Sequence, residues 1–185
     1  AQENVPMTSA AEQFASNLRA IPVPFKEADR GASIEIYHGA HGALETRSPI
    51  RTFTVIDIAK ETNLLASYTC TPLVKIPVDS LKAGEKVKGI TVAELGNGNT
   101  PLDMIPYSKD GKDFLLMTNT KHGLIKVKLD GIEKVEPINA RVKGTAGLSY
   151  DKITELKDIV QIDRLDGERF VYLAKDGTLG TAPMP

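Results

Sequence analysis

The feature that most constrains this chain is that it repeats itself about every fifty residues. The segment Leu64-Leu65-Ala66-Ser67-Tyr68-Thr69-Cys70-Thr71-Pro72-Leu73-Val74-Lys75-Ile76 lies over Leu115-Leu116-Met117-Thr118-Asn119-Thr120-Lys121-His122-Gly123-Leu124-Ile125-Lys126-Val127, with Leu73 on Leu124, an offset of 51. Upstream, Ser48-Pro49-Ile50-Arg51 lies over Thr100-Pro101-Leu102-Asp103 at an offset of 52, so one extra residue is assigned to the polar turns Lys60–Asn63 and Lys109–Asp113. A weaker third copy runs through Asp158-Ile159-Val160-Gln161-Ile162 and Arg169-Phe170-Val171-Tyr172-Leu173. Such self-similarity is the signature of an architecture built from one supersecondary unit.

Each copy has the same grammar. An apolar strand begins just after Pro or Asp, a polar turn follows (Lys109-Asp110-Gly111-Lys112; Leu165-Asp166-Gly167-Glu168), and a β-rich strand comes next. A second turn carries glycine (Lys121-His122-Gly123; Lys175-Asp176-Gly177). Asp-Gly and His-Gly between short alternating strands are hairpin chemistry, because glycine takes positive φ without a Cβ clash. A third strand, Leu124 to Leu129, alternates apolar residues with lysines, and a fourth, Val87 to Leu95 in the first copy, closes the unit.

Four antiparallel strands at this period is the plan of a propeller blade. The spacing and turns from Ile34 to Pro185 resemble NHL and YVTN-type β-propeller repeats; the aspartate-tryptophan signature of WD40 blades is absent, since the chain has no tryptophan. The resemblance implies an all-β fold of about three four-stranded blades, a partial propeller, over residues 32–185, with repeats near 48–99, 100–144 and 158–185. It implies no function, because a superfold hosts many. The competing reading is hairpins of a sandwich or of a β-rich α+β domain. Closed propellers have about four to eight blades, and the third copy stops after a third strand, so further blades are expected from another chain or from a missing N-terminal part. The chain is accordingly expected not to exist as a lone monomer, since an open arc exposes strand edges.

Residues 1–31 differ in kind. Thr8 to Leu18 reads as a short helix, with Ser9 as cap, Glu12 three residues on and Phe14 and Leu18 on one face. Pro22 and Pro24 then impose an extended arm. The opening Ala1-Gln2-Glu3-Asn4, without methionine, suits a mature exported protein, periplasmic or secreted, as well as a proteolytic piece.

Composition narrows the partners. A net charge of −1 with no dense Lys/Arg stripe excludes a nucleic-acid footprint. No apolar run approaches the ~18 residues of a membrane-spanning helix. With Cys70 as the one cysteine, no intrachain disulfide forms.

In a propeller, two loop types share one rim: those joining one blade to the next (His38–Pro49, Leu95–Pro101, Thr145–Asp158) and those joining second to third strands (Tyr68–Pro72, Asn119–Gly123, Ala174–Thr178). All three histidines, His38, His41 and His122, fall in them. The glycine-flanked His38-Gly39-Ala40-His41-Gly42 lets two imidazoles converge on a transition-metal ion, with His122 or Glu45 completing the set. A hydrogen-bonded turn is the plainer alternative. Glu45 and Arg47 suit an anionic ligand or a surface ion pair. Arg51 and Asp103, placed at equivalent positions of successive copies, suit either a ligand contact or an inter-blade salt bridge. Asn97, Asn99 and Lys121 are further ligand or partner candidates on the same loops. Cys70 has no base nearby in sequence, His122 being in the matching loop of the next copy. Gly96-Asn97-Gly98-Asn99 is a turn, since it lacks the lysine-serine ending and following helix of a phosphate loop. Catalytic residues are not identified: triad, zincin and paired-cysteine patterns are absent.

These readings favour a binding or assembly module within a larger exported propeller, using rim loops for ligand or partner contact. The alternative is a fragment or subunit of a propeller enzyme, oxidoreductase or hydrolase, that depends on a metal or redox cofactor. A purely structural piece is the third.

Overall fold

The computed structural model describes residues 2–4, 16–26 and 31–185. Four sheets account for the described strands, and all pairs are antiparallel except one. In the first sheet, β1 (Gln2–Asn4), β2 (Ser16–Leu18), β3 (Ala32–His38) and β4 (Ala43–Glu45) lie side by side in chain order. The expected helix is corrected here. Thr8 to Ala15 lie outside the described residues, and its last turn, Ser16 to Leu18, is strand β2. Tertiary contacts override local helix signals: Leu18 packs with Ile34 and Ile36, Ser16 Oγ donates to the Ser48 carbonyl at 2.7 Å, and Ser33 Oγ donates to Asn17 Oδ1.

The second sheet begins with three strands that match the sequence expectation, β5 (Ile50–Ile58), β6 (Glu61–Tyr68) and β7 (Pro72–Pro77). The expected fourth strand divides at Gly89. Its first part, β8 (Lys86–Lys88), pairs parallel with β3 of the first sheet, and its second, β9 (Ile90–Leu95), pairs with β7. Gly89 N donates to the Glu35 carbonyl, and a Cβ at Gly89 would stand 2.4 Å from Val74 Cγ1, so only glycine permits this close crossing.

The third sheet holds β10 (Pro101–Lys109), β11 (Lys112–Asn119) and β12 (Gly123–Lys128). Residues 145–158, expected as a loop, contain two strands instead. β13 (Thr145–Gly147) returns to extend the second sheet beside β9, and β14 (Tyr150–Ile153) completes the third beside β12. The fourth strand of the second repeat therefore lies beyond residue 144. The fourth sheet is β15 (Ile159–Arg164), β16 (Arg169–Ala174) and β17 (Leu179–Pro183), one strand short of the third.

The repeat is visible in the register. In the opening hairpin of each later sheet, an extra residue bulges just after the start of the first strand: between Ile50 and Thr52, between Pro101 and Asp103, and between Ile159 and Gln161. Ile50 thus corresponds to Pro101 and Tyr68 to Asn119, a uniform offset of 51 with no added turn residue. Arg51 therefore matches Leu102, not Asp103.

The sheets stack in chain order with an apolar core in each gap. Leu18, Ile34 and Ile36 meet Leu64, Tyr68, Val74 and Ile76; Leu65, Leu73 and Leu95 meet Leu115, Met117 and Ile125; Leu116 and Leu124 meet Ile162, Phe170 and Met184. Successive residues of a strand face opposite sides, which is why β6 and β11 carry paired leucines. Leu64 and Leu65 serve two different cores, as do Leu115 and Leu116. The first strands are also neighbours, β10 lying against both β5 and β15. No helix among the described residues is long and apolar enough to cross a membrane.

Candidate functional site

Three loops close over one end of the second and third sheets. The β6–β7 turn places two non-glycine residues in the left-handed region, Cys70 at φ 65° and Thr71 at φ 59°. This conformation costs a β-branched residue of order 1–3 kcal/mol, so its surroundings must hold it. They do: Cys70 N donates to the Asn99 carbonyl at 2.7 Å, Thr71 Oγ1 to the Gly96 carbonyl at 2.6 Å, and Leu95 N to the Thr71 carbonyl. Asn99, almost fully buried, joins the third loop. Its Oδ1 accepts from the Lys121 and His122 amides, and its Nδ2 donates to Asn119 Oδ1 at 2.9 Å.

The turn from β3 into β4 leans on the same end. His38 is 1% exposed, whereas His41 is exposed, and their ring centroids lie 3.8 Å apart. Glu45 gathers them: Oε2 lies 2.9 Å from His38 Nδ1, Oε1 lies 2.5 Å from His41 Nδ1, and Ser48 Oγ donates to Oε2 as well. Burial works to raise the Glu45 pKa, but the bonds from Ser48, His41 and His38 outweigh it and leave the carboxyl below its ordinary range. An ionised carboxylate only accepts, so both Nδ1 atoms donate to Glu45, which leaves each Nε2 as the ring nitrogen not engaged by the carboxylate. One ring nitrogen of each histidine and Cys70 Sγ lie within 4.8 Å of one another. The donor set is two imidazoles and a thiol, with a carboxylate behind both rings.

Beneath the turn sits Glu94, which is fully buried on β9. Its Oε1 accepts from the Gly39 amide at 2.5 Å, and Ala40 N–H also bonds the carboxylate. Burial raises its pKa, against the opposing pull of His38 and of the Gly39 and Ala40 amides. The sign follows from linkage. Above pH 4.5 the folded state holds a proton on Glu94 that the unfolded chain has lost, so this group's contribution is full below pH 4.5 and declines as pH rises through the folded pKa. Glu45 has the reverse sign, its contribution being lost on acidification. Denaturant unfolding is expected to show Glu94→Gln gaining on the native chain as pH rises from below 4.5 to neutral; a pH-invariant difference would contradict the buried carboxylate.

The remaining predicted residues separate. His122 does not join the His–Cys group; its Nε2 is buried against Gly96, where a Cβ would come within 2.7 Å. Burial, followed by Lys152 and Lys121, holds its pKa below the ordinary imidazole value. Asn97 is exposed at a loop tip, and Arg47 is exposed beside Glu45, whose oxygens are engaged by the histidines and Ser48. Asp103 is a structural staple: Oδ2 accepts from the Ile162 amide of the fourth sheet at 3.0 Å and Oδ1 from Met104 N. Arg51 is exposed on its bulge, and no Arg51–Asp103 ion pair forms among the described residues. Glu94 and the covering segment that supplies Ile138 and Val142 against Gly39 were not foreseen.

Comparison of the chain with protein-family models, curated proteins and solved structures returns no match to any of the three.

Proposed function

We propose that this chain contributes adjoining blades to a β-propeller and works as a binding and assembly module. Its ligand-facing end is formed by loops 38–42, 68–72, 95–100 and 119–123. One observation carries this reading: β10 lies against both β5 and β15, so the first strands of successive sheets are neighbours, as wedges about a common axis require. The bulge shared by the three opening hairpins supports it. A sandwich buries one core between two sheets; here four sheets enclose three cores in chain order.

The assembly part rests on the last sheet. Among the described residues β17 has an open edge, Leu179 is 72% exposed, and Val171 and Leu173 point away from the third core. Open edges and apolar faces are pairing surfaces, and a further sheet of the same kind is the occupant that continues the stack. Native mass spectrometry is expected to show species heavier than the 20.0 kDa of one chain; a lone, stable 20.0 kDa species would contradict assembly. The second reading, a metal- or redox-cofactor-dependent enzyme subunit, is favoured by the His–Cys group and requires a bound metal or chromophore.

A further inference from the structure

We propose that His38, His41 and Cys70 bind one borderline divalent transition-metal ion, zinc foremost, with Glu45 as the carboxylate that orients both imidazoles. This deepens the reading of that end of the molecule as its ligand-binding end and rests on it, but not on assembly, because every donor belongs to this chain.

Two independent observations carry the inference. The first is the grouping itself, with the three donor atoms within 4.8 Å of one another. Around a tetrahedral ion with metal–nitrogen bonds of ~2.0 Å and metal–sulfur bonds of ~2.3 Å, donors stand about 3.5 Å apart. A small side-chain adjustment therefore closes the set on an ion. The second is His38 Nε2, which is buried without a hydrogen-bond partner among the described residues, on a side chain 2% exposed. Leaving such an atom unsatisfied is costly; a metal ion takes up its lone pair. Glu45 holding Nδ1–H of both rings is the arrangement that fixes a metal-binding tautomer and strengthens the imidazole as a ligand.

Two nitrogens and one sulfur suit zinc or cobalt better than magnesium or calcium, which select oxygen. On binding, the Cys70 thiol gives its proton to solvent as the metal–sulfur bond forms. His41 is exposed, so a fourth position faces outward, where water or a ligand atom of a partner can bind. Glu94 is a positioning residue: it holds the Gly39 and Ala40 amides and so fixes the spacing between the two histidines.

The test is titration of the reduced, full chain with Co2+ alone, followed by absorption. The expected result is one equivalent bound with a thiolate-to-cobalt charge-transfer band in the near ultraviolet. Cys70→Ser, at a half-buried loop position, is expected to abolish the band. His41→Ala, at an exposed position, is expected to weaken binding at least as much as Glu45→Gln, which loses about 10- to 100-fold while keeping the band at saturation. No band in the reduced protein, a band that survives Cys70→Ser, or unchanged affinity in His41→Ala would each overturn the proposal. A monomeric mass with a normal cobalt band would remove the assembly reading alone; an assembled protein without the band would remove the metal site alone.

Discussion

Asn99→Ala is expected to destabilise the fold by about 2–4 kcal/mol, since it strands several partly or fully buried polar groups at once. Oδ1 serves two backbone amides, those of Lys121 and His122, and Nδ2 serves Asn119 Oδ1. Removing a side chain whose partners remain incurs their desolvation as well as the lost bonds. The effect has a second component, because the Asn99 carbonyl holds the Cys70 amide in its left-handed turn. Loosening residue 99 is therefore expected to relax the turn that presents the thiol. Chemical denaturation measures the first effect, and the cobalt titration of the same variant measures the second. A ligand-contacting Asn99 would behave differently, losing affinity with stability intact.

Leu65→Ala is expected to lower stability by about 2–5 kcal/mol, the range for a fully buried leucine in a close-packed core. Leu65 has no exposed surface and lies among Leu73, Val92 and Leu95 of its own sheet and Leu115, Met117 and Ile125 of the next. A cavity there is walled by two sheets whose backbones are fixed by antiparallel ladders on both sides, so little collapse is available to fill it. The denaturation midpoint is expected to fall with the slope unchanged. An effect below about 1 kcal/mol would mean that the second and third sheets do not close on each other.

The hairpins were legible because their signals are local. Asp-Gly and His-Gly turns and alternating apolar residues mark β10 to β12 without reference to anything distant. The phase between the first two copies was not, because the prolines are not equivalent: both hairpins bulge at the same place, so Pro101 corresponds to Ile50, and laying it on Pro49 slips the first strand by one residue. That slip put Arg51 opposite Asp103. Residues 145–153 and the break at Gly89 escaped for another reason: β13 and β8 each pair with a sheet other than the one their neighbours in sequence belong to.

Of the site, His38 and His41 were legible through the glycines beside them. For Cys70 the sequence offers only His122, in the matching loop one repeat later, as a possible base. The stacking brings Cys70 instead to the histidines of the preceding sheet. Glu94 gave no signal, since a glutamate in an alternating strand reads as solvent-facing. The approach of the Gly39 amide, 55 residues away, together with that of Ala40, is what supports its burial.

The stacking order gathers these groups at one end, and a double-mutant cycle tests it most directly. Leu65 and Leu115 share one core, while Leu65 and Leu116 lie in different ones. Unfolding free energies of the single and double alanine variants are predicted to show coupling of at least about 0.5 kcal/mol for Leu65 with Leu115, and additivity within about 0.5 kcal/mol for Leu65 with Leu116. Additivity for Leu65 with Leu115 alongside coupling to Leu116 would contradict the stacking.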